Sequence, residues 1–124
     1  MIYGIGTDIV EISRVEKALE QSGRFLERYY TEKECGMIRK RGCPQKAAAI
    51  NFAGKEAVAK ALQTGINGRV RLEDIEILRK ESGAPYVTLY NGAFQYAEKC
   101  GIKRIHISLS DTEELAVAYA IAET

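Results

Sequence analysis

Two acids stand where a solvated charge is out of place. Asp8 lies in GIGTDIVEISR, residues 4–14, and Glu56 lies in FAGKEAVAK, residues 52–60. Both are set among apolar or glycine-rich neighbours, where a carboxylate needs a cation or a hydrogen-bonding partner. At helical spacing Glu56 shares a face with Ala49, Phe52, Ala53 and Lys60. An acid and a base thus lie one turn apart on a mostly apolar stripe. If the fold brings Asp8 and Glu56 together, they form a site for a hard cation such as magnesium, which is held by one or two carboxylates plus phosphate oxygens. Lys60 beside them could neutralise a phosphate charge. Glu11 is a third acid nearby; on a strand it points away from Asp8, and at a helix start it would favour the dipole. Spacing alone also admits a plainer arrangement, with Asp8 in a turn or cap and Glu56 paired to Lys60.

The remaining polar candidates carry less. Thr64 and Gly65, in TGING, offer backbone amides to a phosphate, but the same residues end a helix and begin a turn. Asp111 sits at a strand end, where a tight turn alone would justify it. His106, the one histidine, is expected to be a structural, partly exposed strand residue, and a multi-histidine metal centre is impossible within one chain. Cys35, Cys43 and Cys100 lack zinc or redox spacing, so reduced structural cysteines are expected.

The elements that must position these residues follow from periodicity. Residues 2–10 read as a strand, and Ser13 as the N-cap of a helix through Leu19. Arg24 to Tyr30 reads as a short helical piece, and Thr31-Glu32-Lys33-Glu34 as a capping box opening a helix to about Lys40. The basic turn Arg39–Arg41 leads to a long helix from Pro44 to about Gln63, with Gly65 at its C′ position. Alanines around most of its circumference predict burial. Strands at 75–78 and 86–90 follow, then a helix over 92–99 capped by Asn91, then a hairpin of 104–110 with 114–122. The final strand alternates Leu115, Val117, Tyr119, Ile121 with Ala116, Ala118, Ala120, Ala122. Both of its faces are apolar, which predicts a helix on one side and another subunit on the other.

At 124 residues, 46% hydrophobic, 28% charged and a net charge of +1, the chain reads as one globular domain with no global preference for nucleic acid or membrane. MIYGIG is not a leader sequence, so a cytoplasmic location is expected.

Three segments in order, GIGTDIVEISR, FAGKEAVAKALQTGI and HISLSDTEELAVAYAIAE, resemble the bacterial holo-acyl-carrier-protein synthases of the 4′-phosphopantetheinyl transferase superfamily. The resemblance spans essentially the whole chain. It implies that family's α+β fold, a small antiparallel sheet packed on a long buried helix, assembled as a homotrimer with coenzyme A between subunits. It also implies transfer of 4′-phosphopantetheine from coenzyme A to a serine of acyl carrier protein. Asp8 and Glu56 match the family's magnesium-binding acids, and Lys60 the lysine on the pyrophosphate. Lys46 and the Arg39–Arg41 turn are candidates for the 3′-phosphate, while Asn51 replaces an arginine that many members place there. Asp111 stands where relatives have histidine or aspartate, and water on the metal, Glu56 or Asp111 could each take the serine proton. Arg14, Arg24 and Phe25 match the surface that receives the acidic carrier helix. A non-catalytic coenzyme A or nucleotide-binding trimer is the alternative.

Overall fold

The computed structural model describes residues 1–124 and has the element order β1 (Ile2–Glu11), α1 (Ile12–Gln21), α2 (Phe25–Tyr29), α3 (Glu32–Arg39), α4 (Pro44–Ala61), β2 (Ile75–Arg79), β3 (Pro85–Leu89), α5 (Asn91–Lys99), β4 (Arg104–Asp111) and β5 (Leu115–Glu123). The fold is α+β. An antiparallel sheet of order β1-β5-β4 packs on α4, and β2 and β3 form a separate antiparallel pair. No helix is long and apolar enough to cross a membrane.

Small residues let the sheet and the helix meet backbone to backbone. On β1 the even-numbered residues from Gly4 to Val10 face α4, and a Cβ built at Gly6 would collide with the Ala57 carbonyl oxygen and one at Gly4 with that of Ala61. On β5, Ala116, Ala118, Ala120 and Ala122 are buried on the same side. β1 and β5 pair directly through this side, with Gly4 opposite Ala122, Gly6 opposite Ala120 and Asp8 opposite Ala118. The predicted double-apolar last strand is therefore split in use. Its alanine face packs on the helix, while Ile5, Ile9 and Tyr119, each at least half exposed, share the outer face of the sheet.

Local signals placed most helix starts. Thr31 and Glu34 form the reciprocal capping box of α3, and Pro44 opens α4. Three caps differ from expectation because tertiary contacts intervene. α1 begins at Ile12, not after Ser13, since the Ile12 amide still bonds to Glu114 O (2.9 Å) and strand pairing passes directly into helix. Asn91 is the first residue of α5 rather than its cap, at φ 49, and its side-chain amide donates to Asp74 (3.0 Å). Beyond α4 the first left-handed residue is Gln63 (φ 66), two positions before Gly65, and the Gln63 side chain donates to Tyr3 O of β1 (3.2 Å). A 3-10 turn at Leu72–Asp74, not foreseen, leads into β2. All three cysteines are free.

Candidate active site

Asp8 reaches α4 because the strand alternation that presents Gly4 and Gly6 to the helix presents Asp8 two residues later. Lys60 Nζ donates to Asp8 Oδ1 (3.3 Å) and to Thr7 O (3.0 Å), tying the last turn of α4 to β1. One turn earlier on α4, the half-buried Glu56 carboxyl is held above the ordinary glutamate range, chiefly by burial and then by the Asp8 charge, with Lys60 opposing. Asp8 and Glu56 are thus close enough to repel, and Lys60 forms its ion pair with Asp8. The plainer expectation of a Glu56–Lys60 pair is corrected: no salt bridge joins them, because Lys60 is drawn across to β1.

This donor set suits magnesium. It offers two hard carboxylates whose mutual repulsion a divalent cation would relieve, and magnesium needs only one or two protein carboxylates. No group of three or more histidine, cysteine, aspartate or glutamate side chains gathers anywhere in the chain, so a metal here would keep positions for water and substrate oxygens. Glu11, on the opposite face of β1 from Asp8 and at the cap of α1 without a side-chain cap bond, takes no part.

A second polar cluster lies near the start of α4. Lys46 pairs with Asp111 (3.3 Å) at the end of β4. Burial and the charge of Arg41 push the Arg79 guanidinium down, and Asp111 opposes them, so these four residues share one neighbourhood. Arg79 was not singled out from the sequence, since nothing local distinguishes it from other arginines on short strands. Lys46 and Lys60 are separated by about 21 Å along the helix axis at 1.5 Å per residue.

The other candidates are placed as follows. The Thr64 and Gly65 amides both donate to Ala59 O (3.2 and 3.1 Å), and the Thr64 hydroxyl to Gly65 O (2.8 Å), so in this structure these donors serve the helix end and its turn. Asn51 is buried and donates to Glu34 Oε2 and Ile77 O, each at 2.9 Å, so it faces the core and no ligand. Arg14 and Arg24 are exposed and form no ion pair. Phe25, the aromatic expected beside them, is half-buried against Tyr29 and Tyr30 (ring centroids 5.2 and 6.0 Å). His106 is partly exposed on the outer sheet face, 2.9 Å from Glu123.

The family model of the 4′-phosphopantetheinyl transferase superfamily matches residues 4–120. The chain belongs to this superfamily. Among its curated relatives, the holo-[acyl-carrier-protein] synthase of Alkaliphilus metalliredigens is 49% identical over 123 residues, covering 98% of this chain and 99% of that one. The synthase of Clostridium beijerinckii is 45% identical over 125 residues, covering 99% and 98%. The crystal structure of the Neisseria meningitidis synthase superimposes with a TM-score of 0.93 at 38% identity and full coverage of both chains. That of the Helicobacter pylori synthase in complex with coenzyme A gives 0.85 at 32% identity, covering 96% and 99%. The fold is that of these phosphopantetheinyl transferases, as the motifs implied.

Proposed function

We propose that this chain is a holo-acyl-carrier-protein synthase, transferring 4′-phosphopantetheine from coenzyme A to a serine hydroxyl of acyl carrier protein. The observation that carries the reading is the convergence of Asp8, Glu56 and Lys60 in a chain matched end to end by synthases of that name. Asp8 and Glu56 would hold the magnesium ion, which when bound supplies charge neutralisation at the pyrophosphate. The Lys60 head, half exposed and held to Asp8 Oδ1 and Thr7 O, has a donor remaining for a phosphate oxygen and would neutralise the departing group. The serine oxygen forms a bond to the β-phosphorus of coenzyme A while the bond to the bridging oxygen breaks. Adenosine 3′,5′-bisphosphate and a proton are released.

Lys46, with Arg41 and Arg79, would take the 3′-phosphate, and Asp111, paired to Lys46, would orient that lysine. About 21 Å of α4 separates Lys46 from Lys60, far more than the ribose that separates the pyrophosphate of coenzyme A from its 3′-phosphate. With the two lysines at opposite ends of α4, the reading assigns the two clusters of one coenzyme A site to different copies of the chain. A homotrimer packed through the outer sheet face, where Ile5, Ile9 and Tyr119 are exposed, would bring them together and cover that apolar surface. Arg14 and Arg24 would receive the acidic carrier in the cytoplasm, with Phe25 stiffening the surface beneath them.

The test is intact-mass measurement of apo-carrier incubated with the chain, coenzyme A and magnesium. A phosphopantetheine mass gain is expected, slowed by about two to three orders of magnitude in Asp8→Ala and Glu56→Ala, with a trimer in sedimentation for all three. Tight coenzyme A binding without any mass gain would instead identify a non-catalytic binder.

A further inference from the structure

The residue beside Glu56 is a lysine that never sees water. Lys55 is completely buried, and its ammonium donates to Glu34 Oε1 (2.6 Å), to Leu72 O (2.9 Å) and to Ile75 O. Glu34 is equally buried and uses both oxygens. Oε1 also accepts from the Thr31 amide (3.0 Å), and Oε2 accepts from Asn51 (2.9 Å) and the Ile77 amide (3.1 Å). No buried side-chain nitrogen or oxygen is left without a hydrogen-bond partner. Tyr30 closes the group with its ring 5.0 Å from the Lys55 ammonium and its hydroxyl on Ala48 O (2.8 Å).

A charged group buried this deeply is poor evidence for stability, since apolar side chains of the same volume often serve as well; its best attested use is to fix register. Against β1 and β5, α4 meets only Gly4, Gly6 and four alanines of β5, and the large side chains that reach it from β4, Ile107 and Leu109, meet it at Gly54, so on the Asp8 side few side chains interlock to fix its rotation. Asn51 and Lys55 lie one turn apart, about 140° and 100° round the helix from Glu56, and they join α4 to α3, to β2 and to the turn before it. The helix is thus held from two sides, by backbone contact at β1 and by hydrogen bonds at Glu34, with Glu56 and Lys60 between.

We infer that Glu34, Lys55 and Asn51 are positioning residues that set the rotation of α4 and so aim Glu56 and Lys60 at Asp8. The inference rests on the proposed function only for its metal-binding readout. The decisive variant is the double substitution Glu34→Gln, Lys55→Met, which removes both charges at nearly constant volume. Two measurements apply. Calorimetry with magnesium in the presence of coenzyme A should show affinity weakened about tenfold to a hundredfold, as for other groups that orient a metal ligand. Hydrogen exchange should be faster at the amides of Ala57–Ala61 and unchanged in β5. A cooperatively folded double variant with parental magnesium affinity and parental exchange in α4 overturns the inference. If that variant does not fold, Asn51→Ala decides on the same readouts, because it leaves the ion pair in place; smaller shifts in the same directions support the inference and parental values overturn it. Failure of the parent chain to bind magnesium or to modify the carrier defeats the functional reading alone, and the exchange measurement still judges the role of the network.

Discussion

Lys55 and Glu56 are consecutive residues of α4 in opposite electrostatic settings. Around Lys55, every donor and acceptor is matched inside the protein, with the carboxylate of Glu34 accepting four hydrogen bonds. Around Glu56, two carboxylates share one lysine, that lysine bonds to Asp8, and the Glu56 carboxyl is left with a raised proton affinity. One side of the helix is satisfied and closed, and the other is half open and short of positive charge. The difference separates what holds the helix from what remains for a cation and a phosphate.

The largest effect should come from breaking the closed side. Lys55→Ala strands a buried carboxylate and should destabilise by about 3–5 kcal/mol, read as a fall in the urea midpoint. A loss no greater than that of Glu56→Ala would erase the distinction between the two regions.

Next comes the seam between them. Gly6→Ala places a Cβ on the Ala57 carbonyl, so α4 must lift from β1 at about 1–3 kcal/mol, with carrier modification slowed because Asp8 and Glu56 part. Gly68→Ala, with nothing within 4 Å of the added methyl, is the control and should stay within about 0.5 kcal/mol. Equal effects of the two would show that backbone contact is not what sets the spacing.

The smallest effect tests the open side. The folded pKa of Glu56 lies above its unfolded value. The carboxyl's contribution to stability is therefore fully present below the unfolded pKa and is lost as pH rises through the folded one. Glu56→Gln, neutral throughout, should stabilise the metal-free protein at neutral pH by less than about 1 kcal/mol, because solvent screens a half-open site. The gain should vanish on acidification below the ordinary glutamate range. A gain that is absent at pH 7, or that grows in acid, would mean the two acids do not repel.

Much of this was legible beforehand where the signal is local. The capping box at Thr31, the proline at Pro44 and the strict alternation of β5 each specify an element through neighbours a few residues away. The caps at Ile12, Gln63 and Asn91 were not legible, because each is decided by a partner far along the chain: Glu114, Tyr3 and Asp74. The site divides the same way. Asp8, Glu56 and Lys60 stand out as misplaced charges in apolar motifs, whereas Lys55 and Arg79 carry no such mark.

Residue order alone determined which elements form, which face of each is apolar, and which acids need a partner. These follow from periods of two and 3.6 and from side-chain chemistry, and they need no knowledge of the rest of the molecule. Only the tertiary structure decided that Lys60 turns to Asp8 and not to Glu56, and that Lys55 is sealed against Glu34. Both depend on how far α4 is rotated over a bed of glycine and alanine, and that angle is set by contacts across the fold.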